Sequence, residues 1–289
     1  MNRPAERIVR DTERRVMKHY ADKLNSLRST LSKYFARYEE EGVLTYEQMV
    51  KYDRLAKLEK ELFGEMNELY QDNGTQIRRM LRETYKEAYY RKAWELETMT
   101  RAKLGYSFVK PEVVKRAIQN PISGLTLNER LSRNRADVIL RLKEQLTQGL
   151  VQGESYRKIA GRVKEIVEKD TYSAMRIVRT ESGRVYNSGE YDSVTHAAKQ
   201  GVELAKVWIA SSDDRTRESH EDLDGKRIPV DEEFKINGFS ALYPGDFGVA
   251  KEDIHCRCTV GYEVVALDKP EDDSLSNMDY DTWKTERLH

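Results

Sequence analysis

Apolar periodicity is the sequence feature that most limits how this chain can fold. From Met17 onward, apolar and aromatic residues recur at steps of three and four, the spacing of one face of an α-helix. A second series with the same spacing follows Gly42. The two series are Tyr20, Leu24, Leu27, Leu31, Tyr34 and Tyr38, and then Leu55, Leu58, Leu62, Met66 and Leu69. They predict two long helices that pack as an antiparallel hairpin or bundle.

A third helix is predicted from Thr75 to about Leu104, after a break at Asn73–Gly74. The composition agrees with long solvated helices, because 35% of the 289 residues are charged and only 6 are proline. No run of about 18 apolar residues occurs, so no membrane span is expected. The apolar stripes could also contact another subunit, although packing within the chain is the commoner arrangement.

The net charge is zero but unevenly distributed. Residues 101–180 carry a net charge of +9, whereas residues 181–289 carry a net charge of −11. A basic segment can face nucleic acid, and here it contains a pattern that resembles a helix-turn-helix. The candidate DNA contacts are Arg157, Lys158, Arg162 and Lys164. Solvated helix faces and an ordinary helical hairpin explain the same pattern and are more common.

Two helices are predicted between residues 156 and 201, the second beginning at Asp170 as an N-cap. After Gly201 the pattern changes, and Ala205–Ala210 and Cys258–Val265 read as strands. The predicted fold class is therefore mostly α, with a long N-terminal helical hairpin or bundle and a small α+β C-terminal module. The predicted segments are an N-terminal helical region (1–120), a helical, basic middle segment (121–200), the α+β module (201–267) and an acidic mobile tail (268–289).

Histidine and cysteine cluster in the C-terminal module, at His220, His255, Cys256 and Cys258. A disulfide between the two cysteines would close a very small, strained loop, so thiols or thiolate ligands are favoured. Imidazole and thiolate groups in a set of four are typical of structural zinc, with Asp213 as an alternative to His255. The alternative is that the cysteines are small buried apolar residues and His220 is a hydrogen-bonded loop residue.

Two enzymatic interpretations use the same residues. Zinc deaminases carry His-x-Glu and Pro-Cys-x-x-Cys, but here Asp222 stands two residues after His220 and one residue separates the cysteines. A metal-dependent hydrolase or nuclease would be centred on His220, Asp213, Asp214, Cys256 and Cys258. Neither spacing identifies a reaction.

Five short motifs follow one another in the C-terminal half of the chain: Arg176-Ile177-Val178-Arg179-Thr180-Glu181, Asp213-Asp214-Arg215-Thr216-Arg217 with Ser219-His220, Asp224-Gly225, Tyr243-Pro244-Gly245-Asp246, and Cys256-Arg257-Cys258. Their order and spacing resemble the phage Mu F-like minor head protein family. The resemblance covers roughly residues 155–265. It makes Arg179, Thr180, Glu181, Asp214 and Arg217 signature residues of the module.

The resemblance implies a minor head protein of a tailed phage or prophage that acts in head morphogenesis, DNA packaging or ejection. It implies the portal protein and capsid or scaffold proteins as partners, with phage DNA as a further one, and no membrane. The virion head is the expected location, after assembly in the cytoplasm of the bacterial host. No established catalytic reaction is implied. Some relatives are fused to toxin domains such as ADP-ribosyltransferases, for which these 289 residues are expected to leave no room.

One position departs from the family pattern. Many relatives carry a histidine three residues before the first cysteine, where this chain has Asp253. His255 is therefore expected to substitute as a ligand.

Overall fold

Helices account for most of the chain in the computed structural model, which describes residues 1–267 and 269–288. The α-helices are α1 Arg3–Tyr38, α2 Tyr46–Val50, α3 Arg54–Thr100, α4 Pro111–Gln119, α5 Leu127–Val151, α6 Tyr156–Lys199, α7 Glu218–Glu221, α8 Ala250–Asp253 and α9 Tyr280–Arg287. The strands are β1 Val202–Ile209, β2 Arg227–Pro229, β3 Phe234–Ile236, β4 Phe239–Ala241 and β5 Thr259–Leu267. Short 3-10 helices occupy Lys51–Asp53 and Asp273–Leu275. The predicted fold class is confirmed.

The chain divides into two compact units, each built from segments that are distant in sequence. The helical unit contains Asp11–Ile77 and Leu127–Ile177. The sheet unit contains Met1–Arg10, Arg78–Thr126 and Val178–His289. These units do not follow the four contiguous segments predicted from the sequence, because long helices bring remote parts of the chain together. None of the described helices is both long enough and apolar enough to cross a bilayer.

In the helical unit, α1 and α3 run antiparallel, as their polar contacts show. The His19 ring nitrogen Nδ1 lies 2.9 Å from Asn73 Oδ1, and Lys23 Nζ lies 2.6 Å from Glu65 Oε2. The predicted break at Asn73–Gly74 is wrong, because α3 continues through it. Asn73 is buried and paired with His19, so tertiary contacts outweigh the weak helix propensity of Asn-Gly.

Asp170 is a second correction in the helical unit. It lies inside the single continuous helix α6, so it is not an N-cap. Its carboxylate accepts hydrogen bonds from the hydroxyls of Tyr20, at 2.8 Å, and Tyr70, at 2.6 Å. Burial raises the pKa of Asp170 to about 6, although both hydrogen bonds act in the opposite direction. Asp170 therefore serves as a buried acceptor that ties α6 to α1 and α3.

The described residues of the sheet unit form two small antiparallel sheets. The first has the strand order β2-β1-β5, with Ala205 opposite Pro229 and Trp208 opposite Val260. The second is the β3–β4 hairpin. Trp208 and Phe234 are fully buried, and their rings meet edge to face with centroids 5.0 Å apart. This aromatic core supports the segments that carry His220 and the cysteines.

The predicted mobile tail is the third correction. Residues 269–288 include α9, in which Trp283 is fully buried and its Nε1–H donates to Glu97 Oε2 at 2.8 Å. Upstream, Leu275 is fully buried as well. The acidic composition suggested a solvated tail, but these two apolar anchors fix the segment on the sheet unit. The ends of the predicted tail, Asp268 and His289, lie outside the described residues.

Candidate metal centre

The structure brings three of the predicted ligands together. His220 lies on α7, and Cys256 and Cys258 lie in the segment between α8 and β5. Nδ1 of His220 is 3.6 Å from Cys256 Sγ and 3.5 Å from Cys258 Sγ. All three ligand atoms lie within 4.8 Å of one another. His220 is 1% exposed and Cys258 6%, while Cys256 is half-buried, so the cluster is largely shielded from solvent.

These distances fit a tetrahedral zinc site. With Zn–S near 2.3 Å, Zn–N near 2.0 to 2.1 Å and a tetrahedral angle, a nitrogen and a sulfur ligand lie about 3.6 Å apart. Both observed Nδ1–Sγ distances agree with that value. The three side chains therefore could hold a metal ion without being rearranged, and the sulfur and imidazole donors favour zinc over magnesium or calcium.

Hydrogen bonds shift the pKa values of the two cysteine thiols in opposite directions. The Cys256 thiol donates to Cys258, and this bond, with His220 beside it, lowers the pKa of Cys258 to about 5. The same bond, together with burial, raises the pKa of Cys256 well above its usual value. Backbone N–H groups of Ser211 and Cys258 donate to the sulfurs of Cys258 and Cys256, respectively. The lowered pKa favours the thiolate form of Cys258, which is the form that binds metal ions.

Aromatic rings and a carboxylate surround the imidazole. The His220 ring stands edge to face with Trp208, at 5.5 Å between centroids, and lies 5.9 Å from the ring of Phe247. On the side away from the sulfurs, Nε2 is 3.3 Å from Glu252 Oε2. Glu252 is a residue that the sequence analysis did not single out. Its only sequence signal was its place four residues before Cys256.

The other candidate ligands lie elsewhere. His255 is exposed and is not among the grouped residues. Asp213 forms a bidentate ion pair with Arg257, which holds the pKa of its carboxyl well below the usual range. Asp214 is exposed. Among the described residues, no further histidine, cysteine or carboxylate joins the three grouped ligands.

Asp253, which stands where many relatives have histidine, also has a different role. Its carboxylate accepts the backbone N–H of Phe247 at 3.1 Å, and burial raises its pKa to about 6. It fixes the loop before α8 and does not join the group formed by His220, Cys256 and Cys258.

Thr180 and Arg217 hold the segment that carries the cysteines in place, and Glu181 forms a buried ion pair within α6. Thr180 Oγ1 accepts the backbone N–H of His255 at 3.1 Å. Glu181 is fully buried and binds Arg184 at 2.6 Å. Arg217 donates to the Ile254 carbonyl oxygen next to the cysteines. Arg179 is exposed, so its part in the signature is not explained by packing.

Two residues of this framework were not predicted, Arg184 and Asn187. Asn187 Nδ2 donates to the carbonyl oxygens of Pro244 and Cys258, at 3.0 and 3.2 Å, and so joins two motifs to one helix. Gly245 has φ +89°, and a Cβ there would lie 3.1 Å from the Cβ of Arg184. The glycine in Tyr-Pro-Gly-Asp is therefore required both by its backbone conformation and by close packing.

The predicted DNA contacts are mostly engaged within the helical unit. Arg162 lies 2.7 Å and Lys158 3.1 Å from the same oxygen of Glu154, which is buried. Lys164 lies 3.6 Å from Glu168 in an exposed pair. Arg157 is exposed.

The Arg-Thr-Glu motif lies on a helix that adjoins a small sheet module, and in this module His220 lies against Cys256 and Cys258. This combination defines a class of protein module and not a known active site. Residues 140–261 match the family described as Phage Mu protein F like protein. The minor head protein GP7 of Bacillus phage SPP1 is 36% identical over 260 residues, which cover 90% of this chain and 84% of GP7. The chain belongs to the phage Mu F-like minor head protein family.

Two further relatives differ more in length. A protein of Enterococcus faecalis (strain ATCC 700802 / V583) named NAD(+)--arginine ADP-ribosyltransferase EFV is 29% identical over 289 residues, and this chain spans 58% of it. The uncharacterized protein YqbB of Bacillus subtilis is 30% identical over 124 residues, covering 41% of this chain and 40% of YqbB. No solved structure matches the chain.

Proposed function

We propose that this protein is a non-enzymatic minor head protein of a tailed phage or prophage that acts in head morphogenesis. The observation that carries the proposal is the similarity to GP7, which extends over 84% of that minor head protein. The similarity includes both the helical unit and the sheet unit. The proposed location is the virion head, after assembly in the host cytoplasm.

The portal protein and capsid or scaffold proteins are the proposed partners, with the N-terminal helices as the contact. The head is the compartment into which DNA is packaged, so the basic middle segment is proposed to face phage DNA. Among the four candidate residues, Arg157 is the best placed, because Arg162 and Lys158 already pair with buried Glu154. Such contacts would be made to phosphates, so binding should weaken as salt concentration rises.

A structural zinc ion is proposed for His220, Cys256 and Cys258. It would join the loop before β2 to the segment before β5 and so close the module around its aromatic core. Support comes from the Nδ1–Sγ distances of 3.5 and 3.6 Å and from the burial of the cluster. Zinc held in this way contributes its binding free energy to folding.

A metal-dependent hydrolase or nuclease is the alternative, and the geometry favours it less. Asp213 is paired with Arg257, and neither Asp213 nor Asp214 belongs to the group formed by His220 and the cysteines. His220 and Cys258 are also too deeply buried for a substrate to approach them. A turnover that His220→Ala abolished in a folded protein would support the alternative.

Deletion of the gene from its phage or prophage tests the proposed function. The expected result is a loss of infectious particles, or heads that are defective in assembly or DNA content, restored when the gene is supplied in trans. Electron microscopy of the particles and quantification of their packaged DNA measure this. Unchanged particle yield, head shape, DNA content and infectivity would contradict the proposal.

A further inference from the structure

The carboxylate of Glu252 occupies an unusual position beside the proposed metal ligands. Glu252 is only 3% exposed, and one of its oxygens, Oε2, lies 3.3 Å from His220 Nε2. A buried carboxylate is costly unless donors surround it, so its placement against a buried imidazole requires a compensating interaction. The metal-ligating nitrogen Nδ1 and the carboxylate-facing nitrogen Nε2 lie on opposite sides of the same ring.

Three further side chains fix the carboxylate. Ser219 Oγ donates to Oε2 at 3.4 Å, and Asn237 Nδ2 donates to Oε1 at 3.3 Å. Lys251 Nζ lies 3.7 Å from Oε1. These contacts come from the helix that carries His220, from the β3–β4 hairpin and from α8 itself, so the carboxylate cannot turn freely. Glu252 is thus held beside the ring of His220, where Oε2 lies within ion-pair distance of Nε2, an atom that has no hydrogen-bond partner among the described residues.

We propose that Glu252 is a positioning residue for the metal site: its carboxylate, 3.3 Å from the otherwise unpartnered Nε2 of His220, accepts Nε2–H when a metal ion binds and thereby directs the Nδ1 lone pair at the metal. An imidazole has one protonated nitrogen in its neutral form, and the partner of that nitrogen decides which one binds metal. Carboxylate acceptors of this kind orient the ring and make it a stronger donor to the ion. This inference rests on the proposed metal site and assigns a residue that sequence motifs did not indicate.

The same geometry argues against a catalytic role for Glu252. In zinc deaminases the glutamate acts on the metal-bound water and must lie on the metal side. Here Oε2 faces Nε2, while both sulfurs face Nδ1, so the imidazole ring stands between Glu252 and the metal position. Glu252 therefore stabilises the ligand set and does not act on a substrate.

Zinc affinity of the full chain tests the proposal, measured by competition with a chromophoric chelator. Glu252→Gln preserves shape but removes the charge, and Glu252→Ala removes the acceptor. Relative to wild type, we expect zinc affinity to fall about 10-fold for Glu252→Gln and up to about 100-fold for Glu252→Ala, with one ion still bound per chain. The matched control is Glu218→Gln, an exposed residue at the start of α7 that should change affinity less than twofold.

A measurement on the wild-type protein keeps the test independent of folding defects in the variants. Nitrogen-15 NMR of the zinc-loaded protein should show His220 with Nε2 protonated and Nδ1 bound to zinc. Zinc on Nε2, or wild-type affinity in a folded Glu252→Ala variant, would overturn the role of Glu252. A wild-type chain that binds no zinc would instead overturn the metal site itself, so the two failures are distinguishable.

Discussion

Thr180 Oγ1 on α6 accepts the backbone N–H of His255 at 3.1 Å, across 75 residues of sequence. This bond connects the Arg-Thr-Glu motif to the residue immediately before the Cys-Arg-Cys motif. His255 has φ +61°, a backbone conformation that is unfavourable for a residue with a side chain. The hydrogen bond thus helps to hold the turn that presents the first cysteine.

Replacement of Thr180 by valine should therefore destabilise the sheet unit. It leaves the His255 N–H without its acceptor while keeping the shape of the side chain, at a cost of about 1 to 2 kcal/mol. Differential scanning calorimetry should show a decrease of roughly 2–4 °C in Tm. Ser173→Ala, on the same helix, is the control and should leave Tm unchanged within error. An unaltered Tm for Thr180→Val would show that the bond is not needed.

Variants of Arg162 and Arg157 should distinguish a loss of stability from a loss of DNA binding. Arg162→Ala removes the closer partner of buried Glu154 and should lower the free energy of unfolding by about 2 to 3 kcal/mol. Arg157→Ala changes an exposed residue and should alter stability by less than about 0.5 kcal/mol. If the basic segment contacts DNA, only Arg157→Ala should reduce both affinity and its salt dependence without unfolding the protein. Equal stability of the two variants would contradict this assignment.

Stability in the helical unit should depend on pH through Asp170. Because burial raises its pKa from 3.8 to about 6, the folded state keeps a proton that the unfolded state releases. This contribution to stability is complete below about pH 4 and is lost as pH rises through 6, amounting to about 2 to 3 kcal/mol. Urea unfolding between pH 4 and pH 7 should therefore show Asp170→Asn gaining stability relative to wild type as pH rises. A constant difference would show that Asp170 has no raised pKa.

The sequence predicted those features that depend on regular spacing. Apolar steps of three and four identified α1, and apolar runs identified β1 and β5 to within a few residues. The breaks expected at Asn73 and Asp170 were wrong because local propensity was outweighed by contacts with His19, Tyr20 and Tyr70. Sequence alone could not reveal those contacts, since their partners lie 54 to 150 residues away.

The sequence predicted only part of the candidate metal site. Clustering identified His220, Cys256 and Cys258, but it also suggested His255, whose side chain is exposed and does not join the group. Glu252 was missed because nothing in its neighbourhood in the sequence shows that it is buried against an imidazole.

Trp283 should anchor the C-terminal segment. Trp283→Ala creates a cavity and leaves the fully buried Glu97 without its indole donor, at a cost of about 3 to 5 kcal/mol. Limited proteolysis should then cleave residues 269–288 first, at a protease concentration that leaves wild type intact. Glu286→Ala, which alters an exposed residue of the same helix, is the control. Equal protease resistance of Trp283→Ala and wild type would mean that the segment is held by other contacts.

Quantitative mass spectrometry of purified, DNA-filled heads tests the central claim most directly. Heads should be prepared from the intact phage or prophage and, as a control, from one in which this gene is disrupted. The account predicts that peptides from both the helical unit and the sheet unit are present in the first preparation, at a constant low ratio to the major capsid protein. Absence of the protein from both the heads and their assembly precursors would contradict its assignment as a minor head protein.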